Sequence, residues 1–267
     1  MFEGFPRPRW QSVSVRIFAV LIAIFLAAPS FIVIPMSLSG SNLLEFPPSS
    51  FSLRWYDNYL GSTKWQAATW ASAKLGLLTV LVAVPIGFAA AYGARSLSVK
   101  MRTALAAIVL LPALVPTILV GIGLYFLLAK VGLVGTVPGV LLGHVALSLP
   151  VIFLIMTAGF NQFDPVLEQA SYSLGASRFT TIRLVVLPQL AYSIVVSALL
   201  AFLTSLDEVV VALLISSGFN STLPKVMFTA LKNEIDPTIA VVSTLLLVIA
   251  SLATVFVLLR GKVYGAD

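Results

Sequence analysis

Cysteine is absent from the 267 residues, and histidine occurs once, at His144. No disulfide, thiolate metal site or cysteine nucleophile can be built from such a chain. A His–His metal motif is excluded too, and a Ser-His-Asp triad has a single histidine to draw on. Charge is equally scarce. Asp, Glu, Lys and Arg make up 10% of the residues, against about 25% in an ordinary soluble domain. No G-x-x-x-x-G-K-[ST] stretch occurs, so the chain carries no phosphate-cradling P-loop. What is present is apolar: 59% hydrophobic residues and a mean hydropathy of +1.05. This composition belongs to a membrane protein. The net charge of +6 reads as a topology signal rather than as affinity for nucleic acid.

The apolar runs predict an all-α chain of six transmembrane helices in a single domain spanning 1–267. The expected spans are about 17–38, 67–92, 103–129, 137–158, 190–215 and 238–260. The first run is too long for a signal-peptide core and reads as an uncleaved span. Residues 39–66 read as an outer loop with a short interfacial segment around Trp55, Tyr56 and Tyr59. Span two holds Pro85, and span three Pro112 and Pro116, which are expected to kink their helices. Between spans five and six, Leu223, Val226, Met227, Ala230 and Leu231 recur at helical spacing, so a short amphipathic helix is expected there.

Orientation follows from the basic residues. With the N-terminus inside, ten lie on the inner side: Arg7, Arg9, Arg16, Arg95, Lys100, Arg102, Arg178, Arg183, Arg260 and Lys262. Five lie outside: Arg54, Lys64, Lys130, Lys225 and Lys232. The sixteenth, Lys74, falls near the start of span two. The excess predicts that both termini are cytoplasmic.

One stretch breaks the apolar pattern. Asp164 to Pro188, within the expected cytoplasmic loop 159–189, is polar, basic and amphipathic. Asp164-Pro165 predicts a helix start. Gly175 predicts its stop, and Ser177 caps a second helix expected over Arg178–Leu187. Pro188 is expected to end that helix or bend it into span five. Two short helices at a glycine elbow would form a compact knob, and an ordinary amphipathic connector on the inner leaflet is the alternative.

The loop resembles the EAA loop of permease subunits of ABC importers, whose pattern is E-A-A, three residues, Gly, nine residues, then I-x-L-P. Here Gln169-Ala170-Ser171 is followed by Gly175 and by Val185-Val186-Leu187-Pro188 at the same spacing. Gln169 replaces the pattern's Glu, Ser171 its second Ala, and Val185 its Ile, with Glu168 one position early. The segments Ser205-Leu206-Asp207-Glu208, Thr222-Leu223-Pro224 and Ile235-Asp236-Pro237-Thr238 are similar to the spermidine/putrescine branch, which also takes in permeases for opines and aminoethylphosphonate.

The resemblance implies a type I ABC importer permease fold in the bacterial inner membrane and alternating access for a small polar solute. It also implies an ABC ATPase dimer, a second permease completing a heterodimer, and a periplasmic or extracellular solute-binding protein as partners, besides the bilayer, with no nucleic acid. The chain itself would be no enzyme and would bind no cofactor, ATP and Mg being held by the partner ATPase. Glu168, Gln169, Ala170, Ser171, Gly175 and Pro188 are the implied coupling residues.

Asp207 and Glu208 are the acids well inside an expected span. Each costs about 2.5–3.5 kcal/mol at the helix centre on insertion scales. Either they face a translocation path, or they pair with a basic group or helix N-terminus. His144 reads as a hydrogen-bonded packing residue, and Gly139 and Gly143 form a G-x-x-x-G that allows close helix approach. An ion-gradient-driven transporter or channel with Asp207 and Glu208 as coupling site is the competing function. An intramembrane enzyme lacks the paired residues it would need.

Overall fold

The computed structural model describes residues 9–264, without the side chains of 9–13, 219 and 260–264. The basic residue Arg7 expected on the inner side lies outside the described residues, as do the side chains of Arg9, Arg260 and Lys262. The described chain is all-α apart from one isolated antiparallel bridge, Ser39–Phe51. It divides into two compact units.

The first unit is Met1–Ser62 with Ala230–Ile249. Its helix α1 (Arg9–Ser37) is apolar and almost wholly exposed over 14–32, as a lipid- or partner-facing span should be, and becomes buried at Ser37. The interfacial helix α2 (Arg54–Gly61) is tied to its neighbours by polar side chains. The Tyr56 hydroxyl meets Ser37 Oγ at 2.9 Å, and Asn58 Nδ2 donates to Thr238 Oγ1 at 2.8 Å.

The second unit is Thr63–Thr229 with Ala250–Asp267. It is built around three helices, α3 (Thr63–Ala94), α6 (Val137–Gln162) and α10 (Ala191–Asp207), which pack on one another. At 1.5 Å per residue α3 is roughly 48 Å long, well beyond the ~30 Å hydrocarbon core. The shared core includes Ala83, Ala91, Ile152, Met156, Phe160 and Ala201. Small residues let these backbones approach. A Cβ on Gly87 would lie 2.4 Å from Ile152 Cγ2, and one on Gly143 would lie 2.5 Å from Val211 Cγ1. In a bilayer, where water does not drive helices together, such close contact supplies much of the association. Of the expected glycine pair, Gly143 packs on a helix, whereas Gly139 meets the carbonyl of Leu133 in the preceding loop.

Among the described residues, four helices are long and apolar enough to cross a membrane: Ser14–Ser37, Thr63–Ala94, Val137–Gln162 and Thr238–Leu259. Two bent pairs raise the number to six if each is one span. The expected third span is not one kinked helix. It is α4 (Val99–Leu114) and α5 (Thr117–Lys130), set at 102°. Pro112 is absorbed inside α4, but Pro116 forces the preceding Val115 into extended backbone (φ −94°, ψ 135°) and the helix ends. The expected fifth span also breaks. Helix α10 stops at Asp207, and α11 (Val210–Ile215) starts after an extended Glu208. Helix α6 runs to Gln162, so the loop after it begins later than the expected residue 159. The helix between the last two spans is α12 (Leu223–Asn233). Leu223, Val226 and Ala230 are buried, but Leu231 lies off that stripe and is exposed. The last helix is α13 (Thr238–Tyr264).

Candidate functional site

The loop after α6 folds into a capped elbow. Asp164 Oδ1 accepts from Val166 N–H at 2.9 Å, starting α7 (Pro165–Ser173) with Pro165 in its first turn. Gly175 stops it at φ +82°. There Gly175 N–H donates to Tyr172 O at 2.9 Å and Ala176 N–H to Ser171 O at 3.1 Å, the paired bonds of a Schellman motif. Ser177 Oγ then accepts from Thr180 N–H at 3.2 Å and opens α8 (Arg178–Thr181). Ser171 Oγ and Thr181 Oγ1, 2.9 Å apart, tie the two arms together.

The second arm differs from the expected single helix over Arg178–Leu187. Ile182–Val186 is π-helical, with Leu187 N–H reaching five residues back to Ile182 O. It passes into α9 (Leu187–Gln189). Pro188 has no N–H with which to continue a regular ladder, and the wider turn just before it accommodates its ring. Pro188 lies inside this arm, and the 75° bend into α10 falls at Leu190 instead.

The elbow presents apolar tips. Leu174 is 89% exposed and Phe179 73% exposed. Gln169 and Ala170 are exposed beside them, while Ser171 is half-buried in its bond to Thr181.

Glu168 is turned the other way. Its Oε2 accepts from Arg95 Nη1 at 3.0 Å, and its Oε1 accepts from the hydroxyls of Tyr92 (2.5 Å) and Tyr172 (3.3 Å). Burial pushes its pKa up, but the bonds from Tyr92 and Arg95 and the Arg95 charge outweigh this and hold it below the ordinary glutamate value. The Arg95 guanidinium lies over the rings of Phe160 and Phe163, 5.1 Å from each centroid, and 5.6 Å from that of Tyr92. Arg178 lies 5.5 Å from the Tyr92 ring. Tyr92, Arg95, Ser96, Glu168, Tyr172 and Arg178 line an open cavity of about 580 Å³. In the sequence Arg95 reads only as a topology charge.

The membrane-embedded polar groups form a second locus. His144 is 1% exposed, and its Nδ1 lies 2.7 Å from Ser205 Oγ, joining α6 to α10 as a packing histidine should. Thr79 of α3 reaches the same serine at 3.5 Å. Two residues beyond Ser205, Asp207 ends α10 with an exposed side chain. Glu208 does not lie on the helix with Asp207. Its Oε1 accepts from Val211 N–H at 2.8 Å and caps the start of α11. The helix break thus separates the two acids, and Glu208 serves a helix N-terminus, one of the two expected alternatives.

Comparisons with known proteins bear on this arrangement. The family model for binding-protein-dependent transport system inner membrane components matches residues 83–263, more than half of the chain. The spermidine/putrescine transport system permease protein PotC of Haemophilus influenzae is 26% identical over 200 residues, covering 75% of this chain and 78% of that protein. The putative 2-aminoethylphosphonate transport system permease protein PhnV of Salmonella paratyphi A is 28% identical over 226 residues, covering 83% and 84%. In fold, the chain is similar to a crystal structure of a bacterial ABC transporter involved in alginate import. The TM-score is 0.64, with 15% identity and coverage of 98% and 99% of the two chains. The chain belongs to the binding-protein-dependent transport system inner membrane components: it is a multi-pass permease subunit of an ABC importer, working with a separate ATPase and a binding protein and not itself the ATPase.

Proposed function

We propose that the chain moves a small polar solute, of the polyamine, opine or aminoalkylphosphonate kind, across the inner membrane by alternating access, with the Asp164–Leu190 elbow seated on the ATPase. The observation that carries this reading is the elbow itself. It is capped at every turn, locked by Ser171–Thr181, and tipped by exposed Leu174 and Phe179. A rigid, apolar-tipped knob on a chain without a P-loop suits an external motor. Gln169 and Ala170 stand beside the tips and offer hydrogen bonding and close approach, without the charge of the family's usual Glu. Pro188 shapes the arm that leads from the elbow into α10. The loop faces the cytoplasm, both termini lie on that side, and a sister permease completes a heterodimer around the path.

Within that path we assign Asp207 the solute-facing role. A helix broken inside the membrane leaves free backbone groups where solutes bind in many transporters. The α10–α11 break is of this type, and Asp207 stands at it with an exposed carboxylate. Glu208 holds the break open as the α11 cap. The chain would act on cations through Asp207, as the resemblance to polyamine permeases suggests. An ion-driven carrier is less well supported, because Glu208 is occupied by Val211 N–H.

The test is copurification of the ATPase with the chain carrying Leu174→Asp or Phe179→Asp. The ATPase is expected to be lost from both variants while the chain still inserts. Retention at the parent level would overturn the docking assignment. Uptake of labelled putrescine against labelled 2-aminoethylphosphonate by the complete transporter then separates the solute classes.

A further inference from the structure

The loop is held by more than its two covalent ends. We infer that Glu168 is a positioning residue that fastens α7 to the cytoplasmic end of α3 through Arg95 and Tyr92, so that displacement of the elbow is carried directly into that span. This inference rests on the elbow being the ATPase seat. Glu168 stands one position before Gln169, and both oxygens of its carboxylate already accept bonds within the chain: Oε2 from Arg95, and Oε1 from Tyr92 and Tyr172. The pair is sheltered, with side-chain exposure of 27% for Arg95 and 13% for Glu168.

The anchorage on the other side is equally fixed. Arg95 stacks on Phe160 and Phe163, where α6 ends, and on Tyr92. Tyr92 and Phe160 are in ring contact at 5.7 Å, and Phe88 stacks on Tyr92 at 6.1 Å with the planes 3° apart. Arg95 thus joins the ends of α3 and α6 and offers its remaining guanidinium face to α7. The second arm of the elbow continues into α10 through Leu190 N–H to Val186 O and Ile194 N–H to Leu190 O. A push on the elbow therefore has a covalent route into α10 and α6, but into α3 it passes through side chains: the Glu168 contacts and Arg178 over the Tyr92 ring. Without Glu168, α3 would be linked to the moving part through side-chain packing alone.

The absence of native cysteine makes a direct test possible. Ser173 is exposed on α7, and Ser96 is exposed just beyond α3 and lines the cavity under the loop. Single cysteines, Ser173→Cys or Ser96→Cys, are placed in the complete transporter with its ATPase. Their labelling by a hydrophilic maleimide is measured with and without ATP plus vanadate. In the parent both rates should change with nucleotide, by about fivefold or more for a coupling of ordinary size.

In Glu168→Gln, and equally in Arg95→Gln, the response at Ser173→Cys should remain, while that at Ser96→Cys falls below about twofold. Since both substitutions remove one contact, combining them should cost no further response. A full response at Ser96→Cys in either variant overturns the inference while leaving the ATPase seat intact. Loss at both positions means that Glu168 acts in docking and also overturns it. No nucleotide response at Ser173→Cys in the parent would refute the seat itself.

Discussion

Gly175 offers the cleanest test of whether the elbow's shape is what the ATPase reads. Its φ is +82°, and a Cβ built there meets nothing within 4 Å. A side chain at this position therefore costs nothing in crowding, and the whole penalty comes from the backbone. A left-handed conformation costs an ordinary L-residue about 1–2 kcal/mol. Asparagine tolerates it far better. Gly175→Val should strain the paired bonds from Gly175 and Ala176 to the end of α7, and the undocked loop can relieve that strain by opening. If docking requires the closed elbow, the penalty appears in the association constant. It weakens ATPase binding by about 5- to 30-fold, at tenfold per 1.4 kcal/mol. Gly175→Asn should bind within about threefold of the parent, since its penalty is a fraction of that for valine. The assay is titration of the ATPase onto the detergent-solubilised permease complex. Equal affinities for the Val and Asn variants would refute the reasoning, because they would show that docking does not depend on the left-handed turn.

Other consequences concern the membrane core and the loop's charge. Asp207→Asn should lower both solute uptake and solute-stimulated ATPase activity in the reconstituted transporter, and parent values in both would remove Asp207 from the path. Gly143→Leu drives a side chain into Val211, where a Cβ already lies 2.5 Å from Cγ1. Overpacking of this kind costs about 1–3 kcal/mol, to be read as a lower melting temperature in detergent, whereas Gly123→Leu, with open space around its Cβ, should leave it near the parent. Glu168 has a folded-state pKa held below the ordinary value of about 4.3. Its contribution is therefore fully present above that value and is lost only as pH falls through the lower folded value. The nucleotide response at Ser96→Cys should accordingly be flat from about pH 8 to pH 5, and a response that disappears within that range would point to a different titrating group.

The elbow was legible because its determinants are local. Asp164, Gly175 and Ser177 each act on backbone within a few residues, and each does so in the structure. The breaks in spans three and five were not. Pro112 and Pro116 look alike in sequence, yet only Pro116 ends a helix, since there the preceding Val115 has gone extended. Glu208 carried a clear cost signal as an intramembrane acid, but its capping bond depends on a break that hydropathy does not register. The Arg95–Glu168 pair joins residues 73 apart, and pairing at that distance leaves no trace in local pattern. A basic residue just beyond an apolar run is the weak signal that was available, and it reads first as topology.

Transport by this chain should be powered wholly from outside it. The direct measurement is solute uptake into proteoliposomes holding the permease complex and binding protein, with and without the ATPase and ATP, using labelled putrescine and labelled 2-aminoethylphosphonate as probes. Uptake of at least one probe is expected only when ATPase, ATP and binding protein are all present, and it should fall in Gly175→Val at ATPase concentrations that do not saturate. Uptake by the permease alone, driven by an ion gradient and indifferent to ATP, would contradict this expectation.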